Sequence, residues 1–551
     1  MPHERTTVLI VGGGPVGLST ALFLARQGIQ PILVERRPTI SQIPRATGVH
    51  SRTIELWRMA GLEPAFREVG LKFANASGLD VEEYNAGRET PLAMYGTPSI
   101  AALNENSPLL EDHDVPYYDF TPCWPLWCGQ DHYEPILLAD AVSNGADIRF
   151  NAELVGLDQD ANGVTAVIRD RVTDVDTTIR ADYLVGADGV NSRVRGLVDI
   201  GTLSHGIADH FVSIIFRADI DRTGKPPFTF LSLFNREVPG LLLAIEPGRW
   251  MIGAIYYPER GQSPADYTEQ RAIEVARIVA GDPDLAVRIE SINPWEAKHQ
   301  VADEYQNGRV FLAGDAAHCH PPAGGFGVNT GVQDAHNLAW KLAAVLQSWA
   351  EPSLLATYAQ ERRPIGVATS EYAWLLFSTR QKGVAEDDLL AAERDLLHSH
   401  VVVVTGYRYD SDAIIGAPEG VPALPTALEF DGSPGSRAPH AWLTRATGEQ
   451  VSTLDLFGFE FVLLTGRDGS AWATEAIRAA KQLGIPLRTH VLGADGDLID
   501  QDDALATATG IGTTGALLVR PDGFVGWQAT GAQAGTELAD AFTAIAGKGQ
   551  A

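Results

Sequence analysis

Cysteine is scarce: Cys123, Cys128 and Cys319 are the three in 551 residues. That excludes a disulfide framework or a four-thiolate zinc site and suits a reducing, cytoplasmic setting. Basic side chains are also few, with 42 Lys and Arg against 70 Asp and Glu, a net charge of −28. Such a surface repels phosphate backbones and anionic lipid, so neither nucleic acid nor a membrane is an expected partner. Long unbroken apolar runs are missing as well. The nearest approach, Val8 to Ala25, is uncharged and follows Arg5, but Gly12, Gly13, Gly14 and Pro15 interrupt it where a membrane or signal helix would be continuous. The 55 glycines and 32 prolines are scattered rather than periodic, which excludes collagen and low-complexity disorder. What remains is a chain that folds into several domain-sized units.

The start of the chain reads as a strand Thr6 to Val11, a glycine turn, a helix Gly17 to Gln27 and a strand Pro31 to Val34, a βαβ opening. Between Phe211 and Tyr257 short apolar strands alternate with turn signals, which predicts an inserted antiparallel sheet. From Asn329 to Gln347 apolar residues recur at three- and four-residue spacing, a long amphipathic helix that follows a glycine-rich turn. Beyond Ala427 a loop rich in Gly, Ser and Pro marks a boundary. After it come strand, helix, strand, a hairpin around Pro521-Asp522-Gly523, and a helix from Thr536 to Ala546, the order of a thioredoxin-like fold. No cysteine follows Cys319, so dithiol chemistry in that tail is excluded.

Three segments carry chemistry. Gly12, Gly14 and Gly17 form G-x-G-x-x-G between a strand and a helix, and Glu35 ends the next strand. Glycines there let the backbone approach a pyrophosphate at a helix N-terminus, and the glutamate can accept hydrogen bonds from ribose hydroxyls. The second is an apolar strand ending at Asp188-Gly189 with Ser192 opening a helix, which also reads as a plain helix cap. In the third, Gly314-Asp315 ends a strand and Gly324 to Gly331 leads into the long helix. An aspartate there can hold a sugar-alcohol hydroxyl, and the helix N-terminus a second electron-rich group.

Together, in this order and over nearly the whole chain, these segments resemble the class A flavoprotein monooxygenases of the para-hydroxybenzoate hydroxylase fold. The stretches Arg437 to Trp442, Leu454 to Gly458 and Gly515 to Gly523 are similar to the phenol and aromatic-polyketide hydroxylase branch, which carries a redox-silent thioredoxin-like tail. The resemblance implies an α/β chain with a Rossmann-like FAD domain in two parts (1–180 and 291–400), a substrate domain over 181–290 with the Asp188 motif at its start, a linker over 401–427 and the tail over 428–551. It implies FAD held by Gly12, Gly14, Gly17, Glu35, Arg45, Gln130, Leu154, Asp188, Asp315, Pro322 and Gly327, with backbone N–H groups of Val328 and Asn329 facing the flavin. NADPH or NADH would reduce the FAD, and O2 would add at its C4a position to give a hydroperoxide that hydroxylates a polycyclic phenolic substrate. A small aromatic molecule is then the expected partner, and a homodimer is compatible with the reading.

Other outcomes share the scaffold: Baeyer–Villiger oxygenation, hydroxylation of single-ring phenols, or a non-catalytic FAD-binding assembly protein. Tyr256, Tyr257 and Tyr118 are the candidates for the base that deprotonates a phenol, against a plain packing role. The aromatic residues Phe211, Phe216, Phe228, Phe230, Phe234, Trp250 and Tyr256 could line its pocket. Arg217, Arg222, Arg236 and Arg249 sit at strand ends or turns and are expected to face solvent. His318, Cys319 and His320 have no fourth ligand at zinc spacing, so no metal is expected. Cys123 and Cys128 read as packing residues, and Glu386-Asp387-Asp388 as a solvated helix start.

Overall fold

The computed structural model describes residues 3–82, 94–111, 119–382, 400–494, 496–531 and 537–548. Tyr118 and the run Glu386-Asp387-Asp388 lie outside the described residues. The first sheet has His3–Val11 at its centre, flanked in parallel by Ile32–Glu35 and then Asp147–Phe150 on one side, and by Asp176–Gly186 and then Val310–Leu312 on the other. Val8, Leu9 and Ile10 are fully buried, which explains an apolar run with no polar alternation: a parallel strand is covered on both faces. The helix after the glycine turn, α1 (Pro15–Arg26), begins earlier than expected because Pro15, with its fixed φ and missing N–H, suits the first helical position. A second helix, α2 (Ser51–Met59), follows.

The second sheet runs in the order His318–Cys319, Arg288–Ala302, Thr202–Arg217, Arg249–Ile255, Gly240–Glu246, Phe230–Leu233, Met94–Thr97, Leu109–Glu111. It is antiparallel except for one parallel pair, Phe230–Leu233 with Met94–Thr97. It also reaches outside 181–290, since Met94–Thr97 is too short, and Arg288–Ala302 too charged, to stand out as strands in the sequence. Its outer face is covered by α3 (Glu269–Ala280), with Val212, Ile214, Phe216, Phe228, Trp250, Ile252 and Val275 in one apolar cluster.

The long helix α4 (Phe326–Leu346) packs on α1, and α5 (Ala356–Lys382) lies against α4 and the strand Arg288–Ala302. In the tail, a four-stranded sheet orders as Leu487–Val491, Phe461–Thr465, Ala516–Val519, Val525–Ala529, the first pair parallel and the others antiparallel. Its helices are Ser470–Leu483 and Glu537–Ile545, in the strand and helix order expected. The tail packs on the first domain: Trp340 and Trp349 meet Phe461 edge-on at 6.3 and 6.1 Å.

Candidate active site

Register brings the three segments together. Val11 pairs with Gly186 and Gly186 with Leu312, so the residues that follow each strand, Gly12, Asp188 and Gly314-Asp315, emerge side by side at the carboxyl edge of the parallel sheet. That edge is where open α/β sheets bind ligands. Gly12 has φ +111°, and a Cβ there would stand 2.3 Å from the Ala187 carbonyl oxygen. A Cβ on Gly17 would stand 1.9 Å from the Gly12 oxygen, so neither position admits another residue. Gly14, the cap residue of α1, faces nothing within 4 Å and leaves the helix N-terminus open. Glu35 is oriented by the N–H groups of Gly13 at 2.7 Å and Arg37 at 2.8 Å, with lone pairs left for sugar hydroxyls.

The third segment closes onto the first. A Cβ on Gly331 would lie 2.5 Å from Val16 of α1 and 3.0 Å from the Gly314 Cα, so the glycine is what lets α4 approach both. Gly325 caps α4 in the left-handed region, and the first turn of a helix leaves its leading N–H groups without intrahelical partners. Those groups belong to Phe326, Gly327 and Val328. Asn329, expected to offer its N–H beside Val328, is the fourth residue of the helix. Asn329 acts instead through its buried side chain: Oδ1 accepts from the His50 N–H at 2.8 Å and the Thr53 hydroxyl at 2.7 Å, and Nδ2 donates to the carbonyls of Gly48 at 3.0 Å and Gly325 at 2.7 Å. Nothing in the apolar periodicity of α4 signals that role.

The electrostatics describe a cleft. Asp315 is reached by solvent, yet enough protein surrounds its carboxyl to raise its pKa by burial, partly offset by His318 and Arg45. Arg45, also accessible, has its pKa lowered by burial while Asp315 and Glu134 pull the other way. Glu134 is fully buried, accepts from the Ser41 N–H at 2.6 Å and from the Gln130 amide, and is pushed up to about 7, chiefly by burial. Gln130 is thus tied to Glu134. Leu154 is 3 % exposed and its side chain is core, while Pro322 is exposed beside the glycine turn. Asp188 spends both oxygens on capping, accepting from the Ser192 hydroxyl at 2.5 Å and from the N–H groups of Arg193 and Val194 at 2.7 and 3.0 Å. Behind the cleft, buried Asp334 binds the Gly314 N–H at 3.0 Å, His318 Nε2 at 2.6 Å and Arg362 Nε at 2.7 Å, and His318 and Arg362 hold its pKa down against burial.

Facing the cleft is the inner side of the second sheet. Phe211 stacks on Trp295 at 4.5 Å and belongs to a cluster with Ala323 and Phe326 of the glycine turn. Trp295 Nε1 donates to the Ser213 hydroxyl at 2.8 Å, and Phe230 meets Trp127 edge-on at 4.8 Å. Of the expected lining only Phe211 and Phe230 lie on this side: Phe216, Phe228, Trp250 and Tyr256 point to the outer cluster and Phe234 is 61 % exposed, because successive strand residues face opposite ways. Tyr256 packs on His210 and Tyr267 and is not brought to the cleft, and Tyr257 lies beneath Arg260 at 4.2 Å. The arginines are corrected too. Arg249 binds Asp131 at 2.7 Å and Glu290 at 2.8 Å, and Arg222 donates to carbonyls of Ala76 and Ser77; Arg217 binds Glu246 and Glu290 at 2.7 Å each while its side chain stays 40 % exposed, and Arg236 is exposed. These partners lie on other elements and could not be read from strand ends.

Cys123 and Cys128 are buried in the core of the first domain. His318 and His320 stack at 5.8 Å with Cys319 between them in sequence. A different trio, His205, His299 and Glu371, has ligand atoms within 4.8 Å of one another. His299 Nδ1 accepts the His205 N–H at 3.2 Å, which leaves the ring proton on Nε2, facing Glu371 at 3.4 Å. Of the two rings, His205 is the one whose Nε2 reaches the Glu371 carboxylate at hydrogen-bond distance, 2.9 Å.

A glycine cradle open at Gly14, two helix N-termini held together by Gly314 and Gly331, and an accessible Asp315 between them fit one extended dinucleotide and define a dinucleotide-binding protein. Residues 5–373 match the family described as FAD binding domain, and residues 431–549 the family described as aromatic-ring hydroxylase, C-terminal. The chain is 43 % identical over 541 residues to the tetracenomycin A2 monooxygenase-dioxygenase of Streptomyces glaucescens, covering 96 % of this chain and 94 % of that protein. It is 38 % identical to the 4-methyl-5-nitrocatechol 5-monooxygenase of a Burkholderia species, covering 99 % and 98 %. Among solved structures, aklavinone-11 hydroxylase with FAD and aklavinone superposes with a TM-score of 0.85 at 33 % identity, covering 99 % of this chain and 100 % of that one. The chain belongs to the FAD-dependent aromatic-ring hydroxylases, the class A flavoprotein monooxygenases. It is an enzyme, which sets aside the non-catalytic alternative, and it works with FAD, O2 and a reduced nicotinamide nucleotide. No helix among the described residues is long and apolar enough to cross a membrane.

Proposed function

We propose that the enzyme hydroxylates a phenolic aromatic of more than one ring, bound between the inner face of the second sheet and the flavin cleft, with NADPH as the electron source. The observation that carries the reading is the state of the inner face. Arg217 and Arg249, the arginines whose register puts them there, are paired with Asp131, Glu246 and Glu290, while Trp295, backed by buried Phe211, and Phe230 present rings. A wall of aromatic groups with its cations already paired favours a large planar neutral substrate over a benzoate. The tetracenomycin and aklavinone enzymes among the relatives support the same class. Free thiols at all three cysteines support a cytoplasmic setting.

Bound FAD supplies the oxygen-activating chemistry. The protein's share is to bring the two helix N-termini to it, to keep Asp315 and Arg45 on its sugar-phosphate side, and to hold the ring of the substrate against Trp295 and Phe230 with water excluded. The test is oxidation of NADPH and of NADH with tetracyclic phenols, single-ring phenols and cyclic ketones, followed by mass spectrometry. A gain of one oxygen on the tetracyclic phenols is expected. Efficient turnover confined to single-ring phenols would shift the reading towards the nitrocatechol relative, and a lactone from a ketone would replace it with Baeyer–Villiger chemistry.

A further inference from the structure

We infer that the tip of the tail hairpin is a positioning device for the flavin site, with Asp522 as the residue that sets α2 and α4 against each other. Asp522 is 2 % exposed and lies between both helices. Its backbone carbonyl accepts from Arg52 of α2 at 2.8 Å, and its carboxylate accepts from Asn337 and Trp340 of α4, each at 3.2 Å. Gly523, at φ +81°, turns the hairpin there, with Arg52 3.6 Å from where a Cβ would stand. A second tie from the tail reaches the same helix: Arg437 donates to Glu55 of α2 at 2.6 and 3.1 Å, Arg52 donates to Glu55 at 2.8 Å, and Thr121 at 2.6 Å completes a buried carboxylate shell.

What the first turn of α2 and the N-terminus of α4 share is Asn329. Its side chain joins the His50 N–H and Thr53 hydroxyl at the start of α2 to the Gly325 carbonyl that caps α4. The two helices are thus fixed to each other twice, by Asn329 at the cleft and by Asp522 about two turns along α4. Arg52 and Thr53 are neighbours in the first turn of α2, so a shift of that turn by the hairpin must move the cap of α4, whose free N–H groups at Gly327 and Val328 border the cleft. Groups that face a cofactor lose effect when displaced by a fraction of an ångström, so the tail is part of the active-site frame. The inference rests on the reading that the start of α4 faces FAD.

Variants and amide exchange test it. In Asp522→Asn and, separately, Arg52→Met, purified with FAD, the flavin midpoint potential and visible spectrum should shift, and the fraction of NADPH oxidised that appears as hydrogen peroxide should rise about tenfold or more. Arg478→Ala, on the exposed face of the tail, should change none of these. Variants that lose thermal stability while potential, spectrum and coupling stay at wild-type values would show a merely structural tail and overturn the inference. In the wild-type chain, where folding of a variant is not at issue, FAD addition should slow amide exchange at 324–328, in α2 and at 520–524 together. Protection at 324–328 without protection at 520–524 overturns the positioning role, whereas no protection at 324–328 overturns the placement of FAD itself.

Discussion

The cleft and the tail interface are built from opposite materials. At the cleft, Gly12, Gly17 and Gly331 bring backbone to backbone, Gly14 leaves a helix N-terminus open, and the side chains that matter, Asp315 and Arg45, are reached by solvent. At the interface, Glu361, Lys341, Arg520 and Asp522 lie fully or almost fully buried in one ionic cluster, with Lys341 2.7 Å and Arg520 2.6 Å from Glu361. A cofactor that comes and goes needs a site whose polar groups water can satisfy in its absence. A permanent interface can desolvate its charges, provided each is matched. The lesson is that removing one group should cost binding at the cleft and stability behind it.

The sharpest break is expected where buried charges are matched. Asp334→Ala strands Arg362 and His318 at zero exposure, so stability should fall by about 3–5 kcal/mol in denaturant unfolding. A loss below about 1 kcal/mol would mean that the interior tolerates unmatched charge and would erase the contrast.

Glu134, fully buried beside the cleft, is expected to behave like the interior. Its folded pKa of about 7 lies above the ordinary 4.5, so the native state binds more protons between those values and stability falls as pH rises through that window. At 1.36 kcal/mol per unit the full effect is about 3 kcal/mol, present as a penalty above pH 7. Unfolding of the wild type and Glu134→Gln at pH 5 and pH 8 should show a steeper loss in the wild type. Parallel pH dependence would remove Glu134 as the cause.

Asp315→Ala should weaken FAD retention by about 10- to 100-fold, roughly 1.4–2.8 kcal/mol, while the flavin-free chain keeps its thermal midpoint. The flavin-to-protein ratio after desalting reads it, and full retention would show that Asp315 does not hold the sugar alcohol. The smallest effect belongs to the surface: Arg149→Ala removes partly exposed pairs with Glu4 and Asp147 and should change stability by less than about 1 kcal/mol.

The backbone half of this comparison is legible in the sequence. Gly12 to Gly17 and Gly314-Asp315 can be read from spacing because a strand, a turn and a helix N-terminus are local, and the fold class follows from their order. The lining of the pocket is half legible: alternation along a strand separates residues into two faces, and does not say on which face the cofactor lies. Tyr256, on the outer face, is a plausible base in the sequence and a packing residue in the fold for that reason. Asn329 stands out in the sequence for its N–H rather than its side chain, since its partners at His50 and Thr53 belong to a distant part of the chain.

The amino-acid sequence by itself determined the dinucleotide turn, the strands that carry the three segments, the tail without redox cysteines and the family. Only the tertiary structure decided that Arg249 is paired rather than solvated, that Arg437 meets Glu55 across 382 residues, and that Asp522 sits between α2 and α4. The physical reason is range. Backbone dihedrals and glycine contacts are set within a few neighbours, whereas a buried charge is stable only beside a partner that loop closure brings from far along the chain.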